Sequence, residues 1–222
     1  MDTNNIIIAI CINAIPLILA ITLHEAAHGY VARMFGDNTA YMMGRVTLNP
    51  ARHIDPIGTI LFPLMSLAFG GVIFGWAKPV PVNFANLRNP KRDSLWVAAA
   101  GPASNLVQAT AWATAASVIS AIASSESAVA VFWFNVAIAG IKWNVVLAIF
   151  NLFPILPLDG GRIVTSLLPN RLAYSYSRLE PYGMPILIGI IILMVLFPPF
   201  GYAFQALLNA GTGVFYSLFG LS

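Results

Sequence analysis

The stretch IIIAICINAIPLILAITLHEAAH, residues 6–28, decides the fold of this chain because a long apolar run leads directly into two histidines and a glutamate. A helix that crosses a bilayer needs about 20 predominantly apolar residues, and the run from Ile6 to Leu23 comes close to that length without a charge. We therefore predict a membrane-spanning helix from Ile6 to about Phe35, which ends at Gly36. The histidines and the glutamate lie in its last turns.

The composition places the whole chain among integral membrane proteins. Of its 222 residues, 59% are hydrophobic and 9% are charged, and the mean hydropathy is +0.80. A soluble domain carries about 25% charged residues. We predict a single integral membrane domain over residues 1–222, with the lipid bilayer as its surroundings. The net charge of +3 does not indicate nucleic-acid binding, because the basic residues are dispersed among loops.

The rest of the chain divides into further segments separated by glycine, proline and charged residues. Residues 41–50 alternate between apolar and small or polar side chains, which predicts a short β-hairpin at the membrane edge. Residues 57–74 are apolar but interrupted by glycine and proline, which is typical of a re-entrant segment shielded by protein. The other predicted spans are residues 95–123, residues 129–153 and a closing helical hairpin at about 183–219. The expected fold is an all-α polytopic membrane protein with a bundle of four to six transmembrane helices.

The distribution of lysine and arginine predicts the orientation in the membrane. The segment before the first span has neither, whereas two later loop regions are basic. Basic loops stay in the cytoplasm, so the N-terminus is expected outside. His24 lies about 27 Å along a helix from Ile6, at 1.5 Å per residue, which places the motif toward the cytoplasmic side. The basic residues of the two regions are Arg33, Arg45, Arg52, Lys78, Arg88, Lys91, Arg92, Arg162, Arg171 and Arg178.

The two histidines of the motif have the spacing of metal ligands. His24 and His28 are four residues apart and therefore share one face of the predicted helix. Both imidazoles can reach one metal ion, and neutral imidazole nitrogens suit Zn²⁺. Glu25 between them can act as a base on water held by that ion. The alternative is that these residues only hydrogen-bond one another in a helix bundle, but ionisable side chains at membrane depth are costly and usually functional.

A catalytic zinc site usually has three protein ligands and leaves a fourth position for water. Asp159 stands out as the third, because Pro154, Pro157 and two glycines interrupt the helical pattern around it. Irregular backbone at membrane depth is tolerated where it lines a cavity. An ordinary turn at a helix end would explain the same pattern, so the residues alone leave the third ligand open. The other candidates are Asp37, Asp55, Asp93, His53, Glu126 and Glu180.

Three motifs together resemble those of the site-2 protease family of intramembrane zinc metalloproteases. The first is HEAAH at residues 24–28, the second is GPASN at 101–105, and the third is NLFPILPLDGG at 151–161. They occur in the family's order and belong to a catalytic core of about residues 6–165. The chain also resembles a compact branch of the family that lacks an inserted PDZ domain, on the segments at 44–50, 53–59 and 75–83.

The resemblance implies a function and a set of roles. The expected enzyme is a zinc metalloendopeptidase with one Zn²⁺ per chain, bound by His24, His28 and Asp159. Glu25 is expected to help zinc-bound water attack the peptide bond. Asn151 is expected to hold the scissile carbonyl or the developing oxyanion, since an amide donor in a dry site stabilises charge. The expected substrates are single-span membrane proteins, and the expected location is a prokaryotic cell membrane.

Two further assignments and two rival functions stay open. By the resemblance, Val46, Thr47 and Leu48 are expected in an edge strand that binds an extended substrate. Asn105 either approaches the substrate or forms an interhelical hydrogen bond. The rival functions are a catalytically silent membrane binding protein and a metal transporter that uses the same ligands. Intact metal and base residues argue against the first, and the sequence shows no internal repeat of the kind common in transporters.

Overall fold

The computed structural model describes residues 3–61, 77–123 and 127–221, and α-helices dominate these ranges. Three short 3-10 turns and one π-helical turn lie between them. The α-helices are α1 (Thr3–Met34), α2 (Thr39–Met42), α3 (Pro90–Ile122), α4 (Ala128–Asn151), α5 (Asp159–Leu167), α6 (Asn170–Ser177), α7 (Gly183–Leu196) and α8 (Pro198–Leu218). The 3-10 turns are Pro50–Arg52, Phe84–Asn86 and Glu180–Tyr182, and the π-helical turn is Pro56–Leu61.

Three stretches of the described chain are long and apolar enough to cross a membrane. They are Asn4–Met34, Ala128–Asn151 and Asn170–Leu196, with mean hydropathies of 2.8, 1.6 and 2.0. The first two correspond to α1 and α4, and the third contains α6 and α7. The prediction of an all-helical membrane protein is therefore confirmed, while the count of four to six spans stays a prediction.

The centre of the fold is the packing of α1, α3 and α4 against one another. Small side chains let α3 and α4 approach closely, because Ala109 and Ala113 lie fully buried against Ile141 and Val145. Helix α5 packs on α3, and α8 packs on α4. Helix α3 therefore contacts both the helix that carries the two histidines and the helix that begins at Asp159.

The predicted β-hairpin at residues 41–50 is wrong. The chain instead forms α2, and Gly44 ends that helix with a left-handed φ of +64°. The backbone N–H of Gly44 donates to the Tyr41 carbonyl at 2.9 Å, and that of Arg45 donates to the Ala40 carbonyl at 2.9 Å. This is a glycine-type helix cap. The segment that follows is bent, because Thr47 and Asn49 side chains accept backbone hydrogen bonds that a partner strand would otherwise take.

Two other predicted segments can be placed only in part. The predicted re-entrant segment, residues 57–74, begins in the π-helical turn, but most of it lies outside the described residues. In the predicted closing hairpin, α7 and α8 follow one another directly and contact each other. The re-entrant segment and the domain boundaries stay predictions.

Candidate metal centre

The two histidines of α1 lie on one face of the helix and point into the protein. His24 is 6% exposed and His28 is 9% exposed. Their ring centroids are 4.7 Å apart, and their Nε2 atoms are 3.1 Å apart. The spacing of four residues therefore brings both imidazoles to one point, as helix geometry requires.

The protonation of both rings follows from their second nitrogens. His24 Nδ1 lies 2.6 Å from Asn105 Oδ1, and His28 Nδ1 lies 2.7 Å from the Val97 carbonyl oxygen. Both partners are acceptors, since the Asn105 amide nitrogen donates to Asn144 Oδ1 at 2.9 Å. Each neutral ring must therefore carry its hydrogen on Nδ1, which leaves a lone pair on each Nε2. Such outer hydrogen bonds are typical of histidines that bind metals.

Asp159 completes the cluster from the first residue of α5. Its carboxylate oxygens lie 3.2 Å from His24 Nε2 and 3.3 Å from His28 Nε2. The three ligating atoms all lie within 4.8 Å of one another. Asp159 Oδ2 is buried without a hydrogen-bond partner. Lone pairs that face one another repel unless a cation lies among them, and two imidazoles with one carboxylate form a common ligand set of catalytic zinc. The residues present therefore fit a zinc ion.

Close contact with α3 sets the position of the histidine rings. A Cβ atom added to Gly101 would lie 2.3 Å from His28 Nε2 and 2.6 Å from His24 Nε2. No side chain larger than hydrogen fits at that point while the rings keep their places. The glycine of the GPASN motif is therefore a requirement of the ligand geometry.

A short loop between α4 and α5 sets the position of Asp159. Helix α4 ends at Asn151, and the chain turns through Leu152–Leu158 before α5 begins. A Cβ atom on Gly160 would lie 2.2 Å from the Leu152 carbonyl oxygen, and one on Gly161 would lie 2.5 Å from the Leu156 nitrogen. The two glycines therefore let this loop pack directly on the start of α5, where the helix dipole also favours a carboxylate.

Glu25 and Asn151, the two residues expected to act on the peptide bond, each form one hydrogen bond with the backbone. Glu25 Oε2 accepts a hydrogen bond from the backbone N–H of Val80 at 2.7 Å. Val80 belongs to an irregular loop, residues 77–83, which precedes the 3-10 turn Phe84–Asn86 and α3. Asn151 is half-buried at the end of α4, and its amide nitrogen donates to the Leu147 carbonyl at 3.0 Å. The second N–H hydrogen of that amide has no acceptor among the described residues.

Comparison with known proteins identifies the family. The family model of peptidase family M50 matches residues 109–196, which include Asn151 and Asp159. A Bacillus subtilis (strain 168) protein named "Putative zinc metalloprotease YwhC" is 38% identical over 214 residues, which cover 92% of this chain and 89% of that protein. The chain belongs to peptidase family M50, the site-2 protease family.

A second relative supports the same conclusion. The Rip2 protein of Mycolicibacterium smegmatis, which carries the same zinc metalloprotease description, is 31% identical over 169 residues. That alignment covers 76% of this chain and 56% of the relative. No solved structure matches the chain significantly. This site-2 protease family member is therefore a zinc metalloprotease with membrane-spanning helices, and it has a cluster of His24, His28 and Asp159 that can hold the metal.

In this M50 protein, the other residues singled out in the sequence differ in their burial and in what they contact. Asn105 has no exposed surface and lies behind His24. Val46 packs beside α1, since a Cβ on Gly29 would lie 2.9 Å from its Cγ2 atom. Thr47 is half-buried, and Leu48 is 68% exposed. Among the described residues, the cluster of His24, His28 and Asp159 is the one group of at least three His, Cys, Asp or Glu side chains that could hold a metal.

Sequence reasoning missed several groups around the metal cluster of this M50 protein. The Val97 carbonyl and the Val80 N–H belong to the backbone, so no side-chain pattern indicates them. Asn144 continues the hydrogen-bond chain from Asn105, and its amide nitrogen donates to the Gly140 carbonyl at 2.9 Å. A polar residue in an apolar helix was the signal that could have identified it.

Proposed function

We propose that this chain is an intramembrane zinc endopeptidase that cleaves single-span membrane proteins within or at the edge of the bilayer. The supporting observation is the ligand cluster itself. Two imidazoles and a carboxylate converge at the end of α1, whose apolar window has a mean hydropathy of 2.8. Such a site serves substrates that also lie in the membrane, because a substrate in lipid can reach it without leaving the bilayer.

His24, His28 and Asp159 would hold one Zn²⁺ per chain. When bound, zinc supplies Lewis-acid activation of water and of the peptide carbonyl. Asn105 and the Val97 carbonyl keep both rings in the tautomer that presents Nε2. By the positive-inside rule the site faces the cytoplasmic side of a prokaryotic cell membrane.

Glu25 would transfer the proton. Its carboxylate accepts a proton from the water that attacks the carbonyl carbon and then donates it to the leaving amide nitrogen. Two observations support this role: Glu25 is next to His24 in the chain, and its carboxylate accepts a hydrogen bond from the Val80 N–H. Asn151 would donate its remaining amide hydrogen to the carbonyl oxygen as negative charge develops there.

Substrate binding would involve the segment next to α1. Val46 packs beside Gly29, the residue after His28, and Thr47 and Leu48 follow Val46 in the chain. An extended substrate could form backbone hydrogen bonds with this segment. A substrate helix must first unwind, which favours targets with helix-weakening residues such as glycine and proline. Asn105 would contribute indirectly by orienting His24.

The decisive experiment is the substitution Glu25→Gln in the protein reconstituted in liposomes with a model single-span substrate. Glu25→Gln should retain zinc and lower the cleavage rate by roughly 10²- to 10⁴-fold, the usual contribution of a general acid–base group. Glu180→Gln is the matched control, because Glu180 is exposed and forms an ion pair with Arg162. This variant should cleave the substrate at the wild-type rate.

The same experiment separates the rival functions. A silent binding protein would bind the substrate without cleaving it, and the wild type and Glu25→Gln would then both show no cleavage. A metal transporter would move Zn²⁺ into the vesicles, and transport would not need the carboxylate of Glu25. If the wild type binds zinc, cleaves none of a panel of membrane substrates and transports Zn²⁺, the protease proposal fails.

A further inference from the structure

Arg45 is a buried cation held by backbone carbonyls. The residue is 8% exposed, and its Nη2 atom donates to the carbonyl oxygens of Lys78 at 2.9 Å and Pro79 at 3.2 Å. Within the described part of the chain, Nε of the same guanidinium is buried without a hydrogen-bond partner. Burial of a charged group is costly unless polar contacts compensate for it. The two carbonyl contacts therefore hold the Arg45 side chain against the loop of Lys78 and Pro79.

That loop also holds the catalytic base. The residue after Pro79 is Val80, whose N–H donates to Glu25 Oε2 at 2.7 Å. The residue before Pro79 is Lys78, whose N–H donates to the His53 carbonyl at 2.9 Å. Three consecutive residues thus bond to three different parts of the protein. The Pro79 carbonyl and the Val80 N–H belong to the same peptide unit, which is planar and rigid. By binding that carbonyl, Arg45 therefore restricts the direction of the Val80 N–H.

The chain delivers Arg45 to this position by its own local structure. The left-handed conformation of Gly44 reverses the backbone after α2 and directs the next residue inward. After Arg45 in the chain, His53 Nε2 lies 3.1 Å from the Thr47 carbonyl oxygen, and this contact joins the two ends of the segment from Thr47 to His53. His53 is 2% exposed and thus belongs to the interior of this loop arrangement.

We propose that Arg45 is a positioning residue for Glu25: by holding the Lys78 and Pro79 carbonyls, it fixes the Val80 N–H that orients the Glu25 carboxylate. One carboxylate oxygen is then occupied, and the other is left for proton transfer. The proposal rests on the proposed proteolytic function. It assigns Arg45 no contact with substrate or with the metal.

The test compares Arg45→Ala and Arg45→Lys with the control Arg52→Ala, which removes an exposed arginine from the neighbouring turn. For each variant, kcat and KM for a model membrane substrate, zinc content and amide exchange at Val80 are measured. Selective ¹⁵N-valine labelling reports this amide, and added ¹³C-carbonyl labelling of proline restricts the signals to the two valines that follow a proline, Val80 and Val82.

Arg45→Ala should lower kcat about 10- to 100-fold, the scale of a misplaced catalytic group, with KM and zinc content little changed. Val80 exchange should rise at least about tenfold, in line with the loss of one charge-assisted hydrogen bond. Arg45→Lys should restore part of both, and Arg52→Ala should match the wild type. Glu25→Ala, which removes the acceptor, should raise Val80 exchange as Arg45→Ala does.

Three results would overturn the proposal. One is unchanged Val80 exchange in Arg45→Ala, and a second is zinc loss in proportion to the loss of activity. The third is Arg45→Lys with kcat no higher than Arg45→Ala. If Arg45→Ala does not fold, Arg45→Lys alone decides. Wild-type kcat and wild-type Val80 exchange in Arg45→Lys would mean that carbonyl binding by the guanidinium is not needed. Intermediate values of both would support the proposal. Amide exchange does not depend on cleavage. A wild-type protein that never cleaves would therefore refute the proposed function, while Val80 exchange would still test whether Arg45 fixes the Val80 N–H.

Discussion

The histidines of the metal cluster and the proposed catalytic base, Glu25, are held in two different ways. His24 and His28 lie on a helix that touches α3 at Gly101, and their second nitrogens bond to Asn105 and the Val97 carbonyl. Glu25 belongs to the same helix, but its carboxylate bonds to an irregular loop through the Val80 N–H. Packing against α3 and hydrogen bonds to α3 fix the first region, whereas hydrogen bonds to irregular loops fix the second.

The loop region is organised by individual buried polar groups. Asp37 has no exposed surface and accepts hydrogen bonds from the Thr39 N–H and hydroxyl, the Asn83 N–H and the Asn86 amide. Arg45 and His53 bind other parts of the same loops. Such contacts break one at a time, whereas packed helices move as units. We therefore expect changes at the metal cluster to be severe and changes in the loops to be graded.

The largest effect is expected from Asp159→Ala. Removal of this ligand leaves two imidazoles, which are too few for a tight catalytic zinc site. Zinc should be lost and cleavage should fall below detection, as measured by metal analysis of the purified protein and by substrate cleavage in liposomes. Asp93→Ala is the control, because Asp93 accepts the Asn89 N–H at the start of α3 and lies outside the cluster. Full zinc content in Asp159→Ala would refute the assignment of this ligand.

Gly101→Ala tests whether helix contact sets the ligand geometry. The added Cβ would lie 2.3 Å from His28 Nε2, so the rings must move away from their common point. We expect zinc affinity to fall more than about 100-fold, by the scale of a displaced ligand set, while circular dichroism shows a folded helical protein. Alanine on its own favours a helix over glycine by about 1 kcal/mol. Gly189→Ala is the matched control, since a Cβ there meets nothing within 4 Å. Equal zinc affinity in both variants would show that the contact is unimportant.

Asn105→Ala should have a smaller effect on the same site. The substitution leaves the Nδ1 hydrogen of His24 without its acceptor and frees the ring to rotate. Loss of such an outer partner typically costs 10- to 100-fold in metal affinity or activity. Gln108→Ala, one turn further along α3 and also buried, is the control, because Gln108 bonds to the Ala20 carbonyl and to neither histidine. The idea that Asn105 orients His24 would be abandoned if competitive zinc titration gave the two variants the same affinity.

The difference between the two regions also explains what the sequence could predict. The paired histidines follow from the helical period, which places residues four apart on one face whatever lies around them. Asp159 was one of several candidates, because its approach to α1 depends on how α5 packs on α3. The packing role of Gly101 could not be predicted, since a glycine in a helix shows no sign of what touches it.

The loops were the least predictable part. Alternation at residues 41–50 indicated strands, but the glycine cap at Gly44 and local side-chain bonds gave a helical turn and bends instead. A strand needs a partner, and alternation cannot show whether one is within reach. The bond between Val80 and Glu25 joins residues 55 positions apart through a backbone amide, which every residue but proline has.

The smallest effect, on stability alone, is expected from Asp37→Asn. Burial by itself would raise the pKa of Asp37, but the hydrogen bonds from Thr39, Asn83 and Asn86 hold that pKa below its usual range. A carboxyl whose pKa is lower in the folded state stabilises the fold above its unfolded pKa, near 3.9, and this contribution is lost as the pH falls through the folded value. Asp37→Asn should lower the free energy of unfolding by about 1–3 kcal/mol at pH 7, and thermal unfolding should show the difference shrinking below about pH 4. A difference that stays constant from pH 7 to pH 3 would mean that the lost oxygen geometry, rather than the charge, stabilises these loops.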